Sequence, residues 1–303
     1  MTEPAIMIGV GEVLWDLLPS GKVLGGAPAN FAYMASVLGD RGIVASRVGE
    51  DELGREACRV MQELGLTTAY LQHDERHETG TATVSIDAAG QPNFTIKNPV
   101  AWDFLEWSSQ WEDLAARADV VCFGSLAQRS EKSAATIERF LQSTPRKALR
   151  ICDVNLRESF YNQNVLRRSF QHADILKLND QELLQVSHLF NLGIGTQEML
   201  ARRLLRLCDL QLVSITRGSR GSLLVTEGEV VEHEGLRVRV ADAVGAGDAF
   251  TACLAHHHLR GHSLQEISES ANRFASWVAT QTGATPPIST DKLKNIMNGL
   301  AFR

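Results

Sequence analysis

The residues with the clearest chemical potential lie in the segment VADAVGAGDAFTACLA, residues 240–255. Gly245, Ala246 and Gly247 form a glycine-rich turn, and Asp248 follows where an apolar helix is predicted to begin. Glycines permit a tight turn whose N–H groups can stabilise an anion such as a phosphoryl group. A carboxylate beside such an anion hole is poorly placed to bind phosphate, but it can take a proton from an attacking hydroxyl. The equally weighted alternative is that Asp248 caps a core helix.

A second glycine-rich segment is VLGGAPANFAYMASVLG, residues 23–39. Gly25 and Gly26 allow a ligand to approach the backbone closely, and Asn30 lies on the first turn of a helix predicted from about Pro28. Ordinary turn and cap chemistry explains the same residues without any ligand. Each segment on its own therefore leaves both interpretations open.

Short apolar runs alternate with segments of helical period along most of the chain. The apolar runs lie at 5–11, 42–49, 119–125, 149–155 and 174–179. This alternation predicts an α/β protein with a mostly parallel sheet between helices. Two stretches, at about 12–26 and 80–102, break the alternation and predict the strands of a small antiparallel β lid. We expect a single domain over residues 1–303, with the lid strands inserted into it.

Composition excludes several classes of protein. The 303 residues are 44% hydrophobic and 22% charged, which is ordinary globular usage. Because 36 acidic residues outnumber 30 Lys and Arg, binding to nucleic acid is not expected. No apolar run approaches the roughly 18 residues of a membrane helix, and the first residues lack the features of a signal peptide. The five cysteines form no CxxC pair, which predicts reduced thiols in a cytoplasmic protein.

Together, the two glycine-rich segments resemble the two signature motifs of the ribokinase-like (PfkB) carbohydrate kinase family. The resemblance spans the chain, since NDQE at 179–182 is similar to the family's N-x-x-E motif and TRGSRG at 216–221 to its T-x-G-x-x-G loop. The GEVLWDLLP opening, GGAPANFA and DVNLR at 153–157 are more similar to the fructokinase branch than to ribokinase or adenosine kinase. The resemblance implies a ribokinase-like fold of three αβα layers and ATP-dependent phosphorylation of a sugar hydroxyl.

The resemblance also implies roles for the residues of both segments. Asp248 would be the base, and the backbone N–H groups before it would stabilise charge on the transferring phosphoryl group. The sugar would be bound by Asp16, Gly25, Gly26, Asn30 and Gln128. From the residues alone, Asp16 could be a carboxylate on the lid surface, and Gln128 a polar residue at the start of a helix.

For ATP, the resemblance implies binding by residues of three separate segments. These residues are Asn179, Thr216, Gly218, Gly221 and Asn272. Without the resemblance, Asn179 is more simply the N-cap of a helix, and residues 216–221 form a hairpin loop between two β-like runs. Asn272 is then a solvated or capping residue on a helix.

Two acidic residues are implied to bind cations. Glu182 would hold Mg²⁺ through water, which suits a cation that keeps several of its waters. Asp242, with the loop near Gly283 and Ala284, resembles the monovalent-cation site of some members, which makes K⁺ a candidate. The chain departs from the family at Ala243, where Thr is common. It also lacks a P-loop, so ATP must be bound by another architecture.

The leading expectation is the conversion of D-fructose and ATP to fructose 6-phosphate and ADP. The same chemistry could instead act on 2-keto-3-deoxygluconate, ribose or a nucleoside. A non-catalytic sugar- or nucleotide-binding protein is the alternative from a different class. The partners are expected to be these small molecules, without a membrane, and the open strands of the lid could pair between two copies in a homodimer.

Overall fold

The computed structural model of the chain describes residues 3–18, 21–86 and 92–300. Strands and helices alternate along most of these residues, as the sequence predicts. The strands are β1 (Ile6–Val10), β2 (Leu14–Leu18), β3 (Gly21–Gly25), β4 (Arg41–Gly49), β5 (Leu71–Asp74), β6 (Gly80–Ile86), β7 (Pro92–Ile96), β8 (Val120–Phe123), β9 (Leu149–Asp153), β10 (Ile175–Asn179), β11 (Leu212–Thr216), β12 (Ser222–Val225) and β13 (Val230–His233). The α-helices are α1 (Ala27–Val37), α2 (Glu52–Glu63), α3 (Ser109–Ala115), α4 (Glu131–Gln142), α5 (Gln163–Gln171), α6 (Asp180–Leu189), α7 (Gln197–Cys208), α8 (Ala246–Leu259), α9 (Leu264–Ala279) and α10 (Thr290–Met297).

The main sheet has nine strands in the order β13-β12-β11-β10-β9-β8-β1-β4-β5. The strands from β11 to β5 run parallel, and β12 and β13 are antiparallel at one edge. Successive side chains of a strand point to opposite faces, and the neighbours Met7 and Ile8 of β1 accordingly belong to different cores. One core includes Ile137 of α4, and the other includes Phe31 of α1. The predicted arrangement of three αβα layers is therefore confirmed.

The lid is a separate sheet of four strands in the order β3-β2-β6-β7. The pairs β2–β3 and β6–β7 are antiparallel hairpins, as predicted, but β2 and β6 pair in parallel, with Leu14 opposite Gly80. The parallel pairing has a topological reason, because β2 follows β1 and β6 follows β5, and β1 and β5 point the same way in the main sheet. The turn predicted between β6 and β7 falls at 87–91, outside the described residues.

The cysteines and the apolar character of the helices were both considered in the composition. All five cysteines are free, and Cys122, Cys152 and Cys253 are buried, as expected for reduced thiols. Within residues 3–18, 21–86 and 92–300, no helix has both the length and the apolar character needed to cross a membrane.

Candidate active site

The candidate site lies at the edge of the main sheet where the parallel strands end. Glu12 follows β1, Asp153 ends β9, Asn179 ends β10 and Thr216 ends β11. Parallel strands present their carboxyl ends at one edge, so these four residues share it. Open α/β sheets bind their ligands at this edge.

The turn that was predicted to bind an anion forms the N-terminus of α8. Gly245 is the N-cap with φ 78°, and a Cβ atom there would lie 2.6 Å from the Cα atom of Ala284. Only glycine fits this combination of a left-handed backbone and a close contact. The N–H of Ala246 donates to the carbonyl of Ala243 at 3.3 Å, whereas the N–H groups of Gly245 and Gly247 meet no acceptor among the described residues. Two of the three predicted donors therefore remain available to an anion.

Asp248 connects the two glycine-rich segments. Its Oδ2 accepts a hydrogen bond from Nδ2 of Asn30 at 2.8 Å, although the two residues are 218 positions apart. Asn30 is buried on the first turn of α1, and the N-cap of this helix, Gly26, has φ 113°. A Cβ atom on Gly26 would lie 2.5 Å from the carbonyl oxygen of Glu12, so glycine is needed where α1 begins. Because the N-cap of α8 is Gly245, the simple capping interpretation of Asp248 is wrong.

The charges around Asp248 set its proton affinity. Burial raises the pKa of Asp248 to about 6, and the carboxylate of Asp153 acts in the same direction. The hydrogen bond from Asn30 and the positive charges of Lys177 and Arg157 oppose this rise. Asp248 is therefore ionised at neutral pH and accepts a proton more readily than an ordinary aspartate.

On the sugar side, Asp16 and Gly25 lie next to each other across the lid hairpin. A Cβ atom on Gly25 would lie 2.6 Å from Oδ2 of Asp16, so the glycine makes room for the carboxylate. Asp16 is half-buried, and burial raises its pKa, while the charge of Arg157 lowers it. The charge of Arg157 therefore lowers the pKa of both Asp16 and Asp248, so Asp16 is not an isolated carboxylate on the lid surface.

Gln128 is held inside the protein. Its side chain is buried, and Nε2 donates to the carbonyl of Gly124 at 2.7 Å and to Oγ of Ser169 at 2.8 Å. Both amide hydrogens are therefore in use, and only Oε1 remains for a sugar. No hydrogen bond among the described residues joins Gln128 to the Asn30–Asp248 pair, so its role in sugar binding stays a prediction.

Arg157 and Glu12 were not predicted as site residues. Arg157 is exposed on the loop after β9, and its charge lowers the pKa values of Glu12, Asp16 and Asp248. Glu12 is 2% exposed, its Oε2 has no hydrogen-bond partner among the described residues, and burial raises its pKa to about 7. Their positions in the sequence could have indicated a place in the site, because each residue closely follows an apolar strand of a predicted parallel sheet.

The raised pKa of Asp248 predicts an acid limit to activity. Since the base must be ionised, we expect kcat/KM to fall as pH drops through about 6. The measurement is the pH profile of kcat/KM for ADP formation with a saturating co-substrate. Glu12→Gln is the control, because Glu12 titrates in the same range and its removal must leave this limb in place. An acid limb near pH 4, where an ordinary aspartate titrates, would contradict the assignment.

The residues predicted to bind ATP lie together at the ends of β10 and β11. Asn179 and Thr216 are register partners on these strands. The N-cap prediction for Asn179 is correct, since its Oδ1 accepts from the N–H groups of Gln181 and Glu182, which leaves Nδ2 to donate to a phosphate.

The T-x-G-x-x-G segment is a tight turn between β11 and β12, where Thr216 pairs with Ser222. Gly218 and Gly221 have φ values of 57° and 77°, and a Cβ atom on Gly221 would lie 2.0 Å from the carbonyl oxygen of His233. Asn272 of α9 is buried and donates to Oγ of Ser222 at 2.7 Å, so it is not a solvated residue. The hairpin form is therefore correct, and the fold places Asn272 beside this turn.

The two residues predicted to bind cations are both held by backbone N–H groups. Glu182 accepts from the N–H of Leu156 at 3.0 Å and from that of Asn179 at 2.8 Å. Each carboxylate oxygen keeps a further lone pair, which suits an outer-shell partner for the waters of Mg²⁺. Asp242 accepts from the N–H groups of Val244 at 3.0 Å and Gly283 at 3.1 Å, which joins the two loops implied for K⁺.

No three His, Cys, Asp or Glu side chains in the described parts of the chain are grouped to hold a metal ion. The Glu182 carboxylate, with a lone pair left on each oxygen, fits Mg²⁺, which takes few protein ligands when phosphates and water supply the remainder. The residues present are therefore compatible with a metal that arrives with the nucleotide.

The layered fold, the lid and the carboxylate at the N-terminus of α8 are the features expected of a carbohydrate kinase. Residues 20–291 match the sequence model of the pfkB family of carbohydrate kinases, and the chain belongs to this family. A fructokinase of Escherichia coli is 30% identical over 303 residues, which cover 91% of this chain and 93% of the relative.

Two solved structures show how widely this fold is shared. A double mutant of fructokinase from Vibrio cholerae O395, in a fructose-, ADP- and potassium-bound form, has a TM-score of 0.80 at 23% identity and covers 97% of this chain and 98% of its own. The 2-dehydro-3-deoxygluconokinase of Thermotoga maritima has a TM-score of 0.83 at 18% identity and covers 98% and 99%. The family assignment makes the protein a sugar kinase, and the two structures show that its fold is common to kinases with different acceptors.

Proposed function

We propose that the protein transfers the γ-phosphoryl group of ATP to D-fructose, which gives fructose 6-phosphate and ADP. The observation that carries this proposal is the 2.8 Å hydrogen bond between Asn30 and Asp248. This hydrogen bond connects Asn30, in the segment that is predicted to bind the sugar, with Asp248, the predicted base beside the anion-binding turn. A sugar hydroxyl bound beside Asn30 would therefore meet its base and its phosphoryl donor at one place.

In this mechanism Asp248 takes the proton of the attacking hydroxyl. Asn30 donates to Oδ2 of Asp248, and Oδ1 would then face the sugar. The free N–H groups of Gly245 and Gly247 stabilise negative charge on the phosphoryl group as it transfers in line. The protein thus contributes a positioned base and a preorganised anion site.

The nucleotide would lie over the ends of β10 and β11, bound by Asn179, Thr216, Gly218, Gly221 and Asn272. A bound Mg²⁺ would supply positive charge that neutralises part of the charge of the phosphates. Glu182 would hold its waters, and Asp242 with the Gly283 loop would hold a monovalent cation such as K⁺.

The charges around the sugar side favour a neutral acceptor. The carboxyl groups of Glu12, Asp16 and Asp248 all lie within electrostatic reach of Arg157, and Lys177 acts on Asp248 as well. The positive charge of the Arg157 guanidinium is already offset by the three carboxyl groups, and the carboxylate of a sugar acid would add another negative charge. Buried carboxylates also suit adjacent hydroxyls, which supports fructose over 2-keto-3-deoxygluconate. The fructokinase named among the relatives supports the same acceptor.

An acceptor panel tests the proposal. We expect coupled ADP release with Mg-ATP to show the highest kcat/KM for fructose, against 2-keto-3-deoxygluconate, ribose, glucose, adenosine and a control without sugar. Highest activity with 2-keto-3-deoxygluconate would retain the kinase and overturn the charge argument. Binding of fructose by calorimetry without ADP formation would instead support a non-catalytic binding protein.

We also propose a cytoplasmic, homodimeric protein. The five free thiols suit a reducing compartment. The edge strand β3 could pair with a second copy, whereas on the opposite edge strand β7 the N–H of Ile96 already donates to Glu158 at 2.7 Å. Light scattering that gives the mass of one chain in solution would contradict the dimer.

A further inference from the structure

We propose that Lys177 is a positioning residue for phosphoryl transfer, whose buried ammonium group anchors the N-terminal half of α8 and supplies a fixed positive charge behind the anion-binding turn. The inference rests on the proposed function. No motif in the sequence pointed to this lysine, which is one residue of the apolar strand β10.

A network of hydrogen bonds connects Lys177 to α8. Lys177 is 7% exposed, and its Nζ donates to Oδ1 of Asp153, on the neighbouring strand β9, at 3.0 Å. The other oxygen of Asp153, Oδ2, lies 2.9 Å from the hydroxyl of Thr251 on α8. The same hydroxyl lies 3.0 Å from the carbonyl oxygen of Gly247. The hydroxyl has a single hydrogen for these two acceptors. Through Thr251, the ends of β9 and β10 are therefore tied to α8 one turn beyond Gly247.

Gly247 brings the ammonium group close to the turn. A Cβ atom on Gly247 would lie 3.0 Å from Nζ of Lys177. Unlike Gly245, Gly247 is not among the residues with positive φ. The described structure therefore gives the two glycines different roles, since Gly245 permits the backbone turn and Gly247 leaves space for the ammonium group.

The positive charge of Lys177 offsets negative charge around the anion-binding turn. The carboxylates of Asp153 and Asp248 place negative charge near Lys177, and the transferring phosphoryl group adds more. Burial lowers the pKa of Lys177, but the carboxylates of Asp153, Glu182 and Asp248 raise it more, so the group stays charged. The N-terminus of a helix carries only about half a unit of positive charge. The ammonium group reinforces it where charges are poorly screened.

Lys177→Met tests this role, because methionine keeps a long side chain and removes the charge. We expect kcat to fall about 10²-fold, as for the loss of one anion-hole donor, with the fructose KM little changed. We also expect the amide signal of Gly247, followed by NMR during titration with inorganic phosphate, to report at least about tenfold weaker binding than in the unmodified protein. This second readout does not depend on turnover. Lys147→Met, at an exposed position, is the matched control, and its kcat and phosphate affinity should equal those of the unmodified protein.

The variant Lys177→Met/Asp153→Asn separates positioning from charge neutralisation. If Lys177 only neutralised Asp153, removing both charges would restore kcat and phosphate binding, which would overturn the proposal. We expect thermal stability to recover in this double variant while kcat and phosphate binding stay low. Weaker phosphate binding in Lys177→Met, with no sugar turned over by the unmodified protein, would support the contribution of Lys177 to the anion site and refute the proposed sugar phosphorylation. Unchanged phosphate affinity and kcat in Lys177→Met would refute the inference and leave the kinase intact.

Discussion

Asp248→Asn is expected to lower kcat by about 10³-fold and leave fructose affinity within a few-fold of the unmodified protein. Asparagine has the same shape, and its Oδ1 can still accept the hydrogen bond that Nδ2 of Asn30 gives to Asp248. The site is therefore preserved while the proton acceptor is lost. The measurements are kcat from coupled ADP release and the fructose Kd from calorimetry.

Asp209→Asn is a matched control for the same chemical change. Asp209 is exposed beyond α7 with φ 53°, a conformation that asparagine tolerates well. The Asp209→Asn variant should keep full activity. If Asp248→Asn retained kcat within a factor of three, Asp248 would not be the base, and the family's chemistry would need another proton acceptor in this chain.

Gly245→Ala should produce the second large effect, a loss of about 10² to 10³ in kcat. Alanine is strained at φ 78°, and its Cβ atom would meet the backbone of Ala284 at 2.6 and 2.7 Å. Relief of this contact must move either the turn or the Gly283–Ala284 loop, and the N–H groups of Gly245 and Gly247 lose their alignment. The fructose Kd should change little, because the sugar side is formed by other residues.

Gly228→Ala provides the comparison for Gly245→Ala. Gly228 is exposed between β12 and β13, its φ is not positive, and no atom outside its chain neighbours lies within 4 Å of an added Cβ atom. Its activity and melting temperature should match those of the unmodified protein. Normal kcat in Gly245→Ala would show that transfer does not depend on this turn. Melting temperatures of both variants separate a local change from general unfolding.

Where local signals are strong, the sequence predicted the fold closely. Asp51 and Ser130, near which helices were predicted to begin, are the N-cap residues of α2 and α4, and the Asp51 side chain accepts from the N–H of Gly54. Asn179 was predicted as an N-cap, and its side chain forms a capping box with Glu182. Gly245 was predicted in the turn because few other residues adopt its backbone conformation.

The missed features depend on contacts between distant residues. Lys177 lies in an apolar strand outside the motifs, and its pairing with Asp153 follows from the order of β9 and β10 in the sheet. The parallel pairing of β2 with β6 likewise depends on the direction of the preceding strands. Arg157 acts on three carboxyl groups from separate segments, a relation that no spacing in the sequence reveals.

The most direct test of the central claim is to quantify ADP and phosphorylated sugar in one sample by ³¹P NMR. Mg-ATP and fructose would be incubated with the unmodified protein and, separately, with Asp248→Asn. We expect the unmodified protein to form ADP and fructose 6-phosphate in equal amounts, and Asp248→Asn to form almost none of either. ADP without a sugar phosphate, or equal product from both proteins, would contradict a sugar kinase that uses Asp248 as its base.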